Sequence, residues 1–225
     1  MNENSIKENP FKAESPANYE PKKPVLVMCD VSASMSGTSI NQVNQGLAKM
    51  QKECEDNPKA AASVELAIGS FGTKTKSVRD FALIAEGNIP SLQATEDQTR
   101  IVEGTKFAIA TVRQRMAWYR ETNQLIAGRA LMVILTDGQP NPVAQDFIGA
   151  AELIREGYEQ GEFLTLFVGI PGCDLSILQK MAHPTLPPIY LDKLTLDQFF
   201  ARLSQSMAAG DQRDDSNLVQ ILTAQ

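Results

Sequence analysis

Two stretches of this chain are apolar at nearly every position, and both stop on an acid. Val25, Leu26, Val27 and Met28 lead to Asp30, and the run GRALMVILT over residues 128–136 leads to Asp137. Short, continuously apolar runs that break abruptly read as strands buried on both faces of a sheet. Between and after them the apolar residues change period. Ile40, Val43, Leu47, Met50 and Cys54 recur at helical spacing after the turn and cap residues Ser36-Gly37-Thr38-Ser39, and that helix ends near Asn57-Pro58. Residues 63–71 and 75–83 read as two further strands joined by Gly72-Thr73-Lys74, a link too short for a crossover helix, so this pair is antiparallel.

A long connection over residues 84–102 follows, with Gly87, Pro90 and several polar positions; loops of that length are more often functional than idle. After Glu103-Gly104-Thr105 a helix carries Ile109, Val112, Met116 and Tyr119 on one side, with Trp118 beside them. Val143, Phe147, Ala151, Ile154 and Tyr158 mark another, closed by Gly161. Residues 162–169 read as a strand, 174–181 as a short helix and 189–191 as a strand. Leu196, Phe199, Phe200, Leu203 and Met207 form the core face of a last helix.

Strands alternating with helices imply an α/β fold: a doubly wound, mainly parallel sheet with one antiparallel edge strand and helices on both faces. Such sheets bind ligands where strand order reverses, at the carboxyl ends of the strands. If the strands before Asp30 and Asp137 are neighbours across that reversal, their acids share one crevice. The expected organisation is a loosely packed polar arm over residues 1–23, one domain over 24–208 and a polar tail over 209–225. No internal repeat or low-complexity tract interrupts it.

Composition narrows the function. The chain has 225 residues, 43% of them apolar, which suits a single sizeable core. A net charge of −6 without a Lys/Arg cluster argues against nucleic acid as a partner. Three widely spaced cysteines, Cys29, Cys54 and Cys173, read as reduced thiols of a cytoplasmic protein, Cys29 as a small buried hydrophobe. No segment has the length and apolarity of a leader or a membrane span, so the expected protein is soluble, with no membrane partner.

The chemistry sits where the first apolar run breaks. In extended chain, side chains two residues apart point the same way, so Asp30, Ser32 and Ser34 converge beyond the strand end as hard oxygen donors suited to a small, hard cation. The series Asp30-Val31-Ser32-Ala33-Ser34, followed far downstream by Gly104-Thr105 and then Thr136-Asp137-Gly138, resembles the metal-ion-dependent adhesion site (MIDAS) of von Willebrand factor A (vWA) domains. FGTKTKSV over residues 71–78 and LTLDQFFARLSQSM over 194–207 are similar to the TerY-like branch, associated with tellurium resistance. The resemblance implies a metal centre of Asp30, Ser32, Ser34, Thr105 and Asp137 holding Mg²⁺, with Mn²⁺ or Ca²⁺ as substitutes. Within it, Ser32 and Ser34 would bind directly, Thr105 directly or through water, and the two acids mostly through water. Mg²⁺ takes six oxygens at about 2.0–2.1 Å and sheds water reluctantly, so neutral hydroxyls with few direct carboxylates leave it electrophilic toward a partner's Asp or Glu.

Three positions depart from the family pattern: Ala33 stands where Gly is frequent, Asn141 where this branch has further acids, and Lys106-Phe107 where smaller residues are common. Lys106 either repels the metal or helps hold an acidic partner. Each candidate also has a plainer role. Asp30 could cap the turn after its strand, Thr105 could be a helix N-cap, Gly138 could supply a left-handed turn, and the only histidine, His183, could be structural or simply exposed. The expected function is a non-enzymatic, metal-dependent protein-binding module in a tellurite-resistance or stress-response setting. The alternatives are a metal-assisted phosphohydrolase with Asp30 as nucleophile, or a scaffold with an unused site. One histidine leaves no Ser-His-Asp set, and no GxxxxGK phosphate loop occurs.

Overall fold

Strands β1 (Lys23–Asp30), β2 (Val64–Phe71), β3 (Thr75–Leu83), β4 (Ala130–Thr136), β5 (Phe163–Gly169) and β6 (Ile189–Tyr190) build one sheet in the order β3-β2-β1-β4-β5-β6. Every pairing is parallel except β2 with β3, which makes β3 the antiparallel edge. The computed structural model describes residues 18–138, 146–191 and 195–208. Strand order reverses between β1 and β4, which pair from Val25–Leu131 to Cys29–Leu135. Asp30 and Asp137 therefore leave adjacent strands at the same end of the sheet.

The helices are α1 (Thr38–Glu55), α2 (Pro58–Ser63), α3 (Ile101–Glu121), α4 (Phe147–Glu159), α5 (Leu175–Met181) and α6 (Leu196–Ala208). Period-two alternation in β1 divides the core into two layers. Val25, Val27 and Cys29 join Val43 and Leu47 of α1 and Phe200 and Leu203 of α6, while Leu26 and Met28 join Ile109 and Val112 of α3 and Ile154 of α4. Gly46 lets α1 and α6 meet closely, since a Cβ there would stand 2.2 Å from the Phe200 ring.

Several boundaries differ from the sequence expectation. Asn57-Pro58 does not end helical structure: the Asn57 side chain accepts from the Lys59 and Ala60 amides, Pro58 needs no donor at the first helical position, and α2 follows. Helix α3 begins at Ile101, before Gly104-Thr105, because Gly104 packs against the Phe71 ring rather than breaking the helix. The arm ends earlier than residue 23. Lys23 lies in β1 with its ammonium donating to the Met207 carbonyl at 2.9 Å, and Lys22 is buried with its ammonium on Glu20 and Ala62 carbonyls. Val143 and Asn141, most of the arm (residues 1–17) and the tail (209–225) lie outside the described residues.

Cys29 and Cys54 are buried free thiols, both pushed up to about 12 by burial, and Cys173 is a partly exposed one. His183 stacks on Tyr158 at 3.8 Å between ring centroids. Among the described residues no helix is long and apolar enough to cross a membrane.

Candidate metal centre

Asp30 is the last residue of β1 and is fully buried. Its Oδ1 accepts from the Ser32 amide at 2.8 Å, and its Oδ2 accepts from the Thr136 hydroxyl at 2.5 Å. Beyond Ser32 the backbone does not stay extended. Ala33–Met35 forms a single 3₁₀ turn, and this turn brings the Ser32 and Ser34 hydroxyls to 3.0 Å from each other. The Ser34 hydroxyl then donates to Asp137 Oδ1 at 2.9 Å. Asp30, Ser32, Ser34 and Asp137 thus form one connected group, drawn together by the pairing of β1 with β4.

Thr105 is placed elsewhere in the local bonding pattern. It is the fifth residue of α3, not its N-cap, and its buried hydroxyl donates to the Ile101 carbonyl one turn back at 2.8 Å. The threonine that borders Gly138, as Asp30 does, is Thr99, two residues before α3 and 6% exposed. A Cβ built on Gly138 would stand 2.9 Å from Thr99 Oγ1 and 3.1 Å from Asp30 Oδ2. Gly138 is absent from the glycines with positive φ, so its part here is space rather than left-handed backbone: any side chain would fill the cradle between these two oxygens. Thr99 was hidden by the misplaced start of α3. The signal was present, because Ile101 and Val102 extend the apolar spacing of Ala108, Ile109 and Val112 back by two turns and leave Thr99 at the helix entry.

The electrostatics fit a cation. Burial pushes the Asp30 carboxyl above its ordinary range, partly offset by hydrogen bonds from Thr136 and Ser32, and the nearby Asp137 charge raises it further. Burial also raises Asp137, against the hydrogen bond from Ser34. Among the described residues, the groups that donate to these acids are hydroxyls and backbone amides, all neutral. Two adjacent carboxylates ringed by hydroxyl oxygens make a hard-donor set of the kind that holds Mg²⁺. Among the described residues there is no group of three or more His, Cys, Asp or Glu placed to hold a metal, so a centre here depends on hydroxyl donors. Lys106 neither enters this set nor opposes it, because its ammonium pairs with Asp146, the N-cap of α4, at 3.1 Å.

No protein-family model matches the chain, and no curated protein matches it in sequence. Solved structures match its fold. The pilus adhesin SpaC from Lactobacillus rhamnosus GG, in its open conformation, superposes with a TM-score of 0.63 at 11% identity, over 83% of this chain and 30% of SpaC. The ArnB paralog VWA2 from Sulfolobus acidocaldarius superposes with a TM-score of 0.52 at 12% identity, over 85% of this chain and 45% of VWA2. The fold is that of a vWA domain. BatB from Bacteroides thetaiotaomicron gives a TM-score of 0.54 at 16% identity over 83% of this chain and 98% of its own. The vWA-type domain described here therefore spans less than half the length of SpaC or VWA2.

Proposed function

We propose that this vWA-type domain is a metal-dependent protein-binding module that recognises a carboxylate of its partner at the centre formed by Asp30, Ser32, Ser34 and Asp137. The observation that carries this reading is two acids from neighbouring strands, joined through serine hydroxyls and approached, among the described residues, by neutral donors alone. Bound Mg²⁺ would supply a Lewis-acidic position for an Asp or Glu oxygen of the partner. Ser32 and Ser34 offer neutral hydroxyls, Asp30 and Asp137 balance the charge, and Thr99 closes the side next to Gly138. Ser34 is the exposed member of the set, so the centre faces outward on that side. The similarity to the TerY-like branch favours a partner in a tellurite-resistance or stress-response system. In calorimetry with Mg²⁺ or Mn²⁺, the intact chain is expected to bind one ion, and Ser32→Ala with Ser34→Ala is expected to abolish that binding. Equal binding by the double variant would refute this assignment.

A further inference from the structure

The backbone that carries the serine donors has an unusual support. Val31 donates its amide to the Phe71 carbonyl at 2.9 Å, which ties the turn to β2 on one side. On the other side a single residue of the long connection, Glu96, makes both contacts: its amide donates to the Val31 carbonyl at 3.0 Å, and its carbonyl accepts from the Ala33 amide at 2.7 Å. The result is an isolated parallel bridge centred on Ser32. Both peptide groups flanking Ser32 are therefore held by Glu96.

The side chain of Glu96 is anchored in the opposite direction. Its carboxylate accepts from the Lys76 ammonium at 2.9 Å and from the Thr73 side chain, and these contacts hold it below the usual carboxylate range. Its stem lies flat over Gly72, where a Cβ would stand 2.5 Å from Glu96 Cβ and 2.8 Å from Cγ. One residue thus clamps the donor turn to the β2–β3 turn. Lys76 is 56% exposed, and an exposed ion pair adds little to global stability, so the clamp acts locally.

We propose that Glu96 is a positioning residue that sets the spacing of the Ser32 and Ser34 donors and thereby the preference of this centre for Mg²⁺ over Ca²⁺; this rests on the metal-binding reading above. Mg²⁺ demands near-ideal octahedral geometry at about 2.0–2.1 Å, whereas Ca²⁺ accepts six to eight oxygens at about 2.3–2.6 Å in flexible arrangements. A donor turn pinned on both flanks suits the stricter ion. A loosened turn penalises Mg²⁺ more than Ca²⁺. Residues that support metal ligands typically change affinity about 10–100-fold when removed, and Glu96 acts through backbone, which places it at the lower end.

The test is calorimetry on the full chain with Mg²⁺ alone and Ca²⁺ alone, for wild type, Glu96→Ala, Glu96→Gln and Gly72→Ala. Glu96→Ala is expected to weaken Mg²⁺ binding about tenfold and Ca²⁺ binding several times less, so the ratio of the two affinities falls. Glu96→Gln keeps an oxygen acceptor for Lys76 and Thr73 and retains most of the ratio. Gly72→Ala pushes on the glutamate stem and reproduces the loss without touching the carboxylate. An unchanged ratio in Glu96→Ala, or equal losses for both ions with a lower melting temperature of the metal-free protein, would overturn this proposal alone. Wild type binding neither ion would overturn it together with the proposed function.

Discussion

The two ends of the sheet bury acids in opposite ways. At the amino end, Glu65 of β2 lies against Arg115 and Tyr119 of α3: one carboxylate oxygen accepts from the guanidinium at 2.7 and 2.9 Å and from the phenol at 2.6 Å. The guanidinium in turn sits 4.0 Å above the Trp118 ring. At the carboxyl end, Asp30 is just as buried but meets hydroxyls, an amide and a second acid. One charge is matched by a guanidinium, and the other meets no cationic group among the described residues. A buried ion pair with its charges matched is an internal fixture of the core. A buried acid without a matching cation marks the place where a ligand can supply one.

Removing the internal partner should produce the largest effect. Arg115→Met strands Glu65 in the core and is expected to destabilise the protein by about 3–5 kcal/mol in urea unfolding, while Glu65→Leu with Arg115→Met recovers most of that loss. If the single variant unfolds like wild type, the matched end contributes nothing and the contrast collapses. The opposite end should behave in reverse. Asp30→Asn is expected to leave the metal-free protein at least as stable as wild type, because the folded state already disfavours the charged carboxylate. The stabilisation by Mg²⁺, about 2.7 kcal/mol at a hundredfold excess over Kd, should vanish in that variant. Thermal melts with and without Mg²⁺ read both quantities.

A smaller effect sharpens the matched end. Tyr119→Phe removes a hydrogen bond to a charged acceptor and is expected to cost about 2 kcal/mol at neutral pH. Burial first, and then the Glu65 charge, raise the Tyr119 phenol well above its ordinary 10.0, so ionisation is disfavoured in the folded state. Its contribution is therefore fully present below pH 10.0 and is lost as pH climbs toward the raised value. Urea unfolding from neutral to alkaline pH should show this loss in wild type and a flatter profile in Tyr119→Phe. Parallel profiles would detach Tyr119 from the cluster.

Much of the architecture was legible because burial imposes a period on the sequence. The runs ending at Asp30 and Asp137 are strands, the link over residues 72–74 forces an antiparallel edge, and the spacing of Leu196 to Met207 gives α6. Boundaries failed where a local signal was outweighed. Gly104 read as a helix opening, yet its lack of a side chain serves packing on Phe71 inside α3. Asn57-Pro58 read as a stop, yet the same pair caps and starts α2. Lys22 and Lys23 read as the end of a polar arm, while their ammonium groups are in fact buried on carbonyl oxygens.

In the site itself, the sequence alone determined that hydroxyls and acids follow two buried strands, since side-chain chemistry and hydrophobic period are both local properties of the chain. The tertiary structure decided which of them meet. Strand order placed β4 beside β1, a 3₁₀ turn rather than extended chain brought Ser34 to Ser32, and the register of α3 turned the Thr105 hydroxyl onto Ile101 while leaving Thr99 beside Gly138. Thr99 and Glu96 lie more than sixty residues from Asp30 along the chain. Their contacts follow from sheet order and loop path, which are set by the packing of the whole core and not by any pattern near either residue.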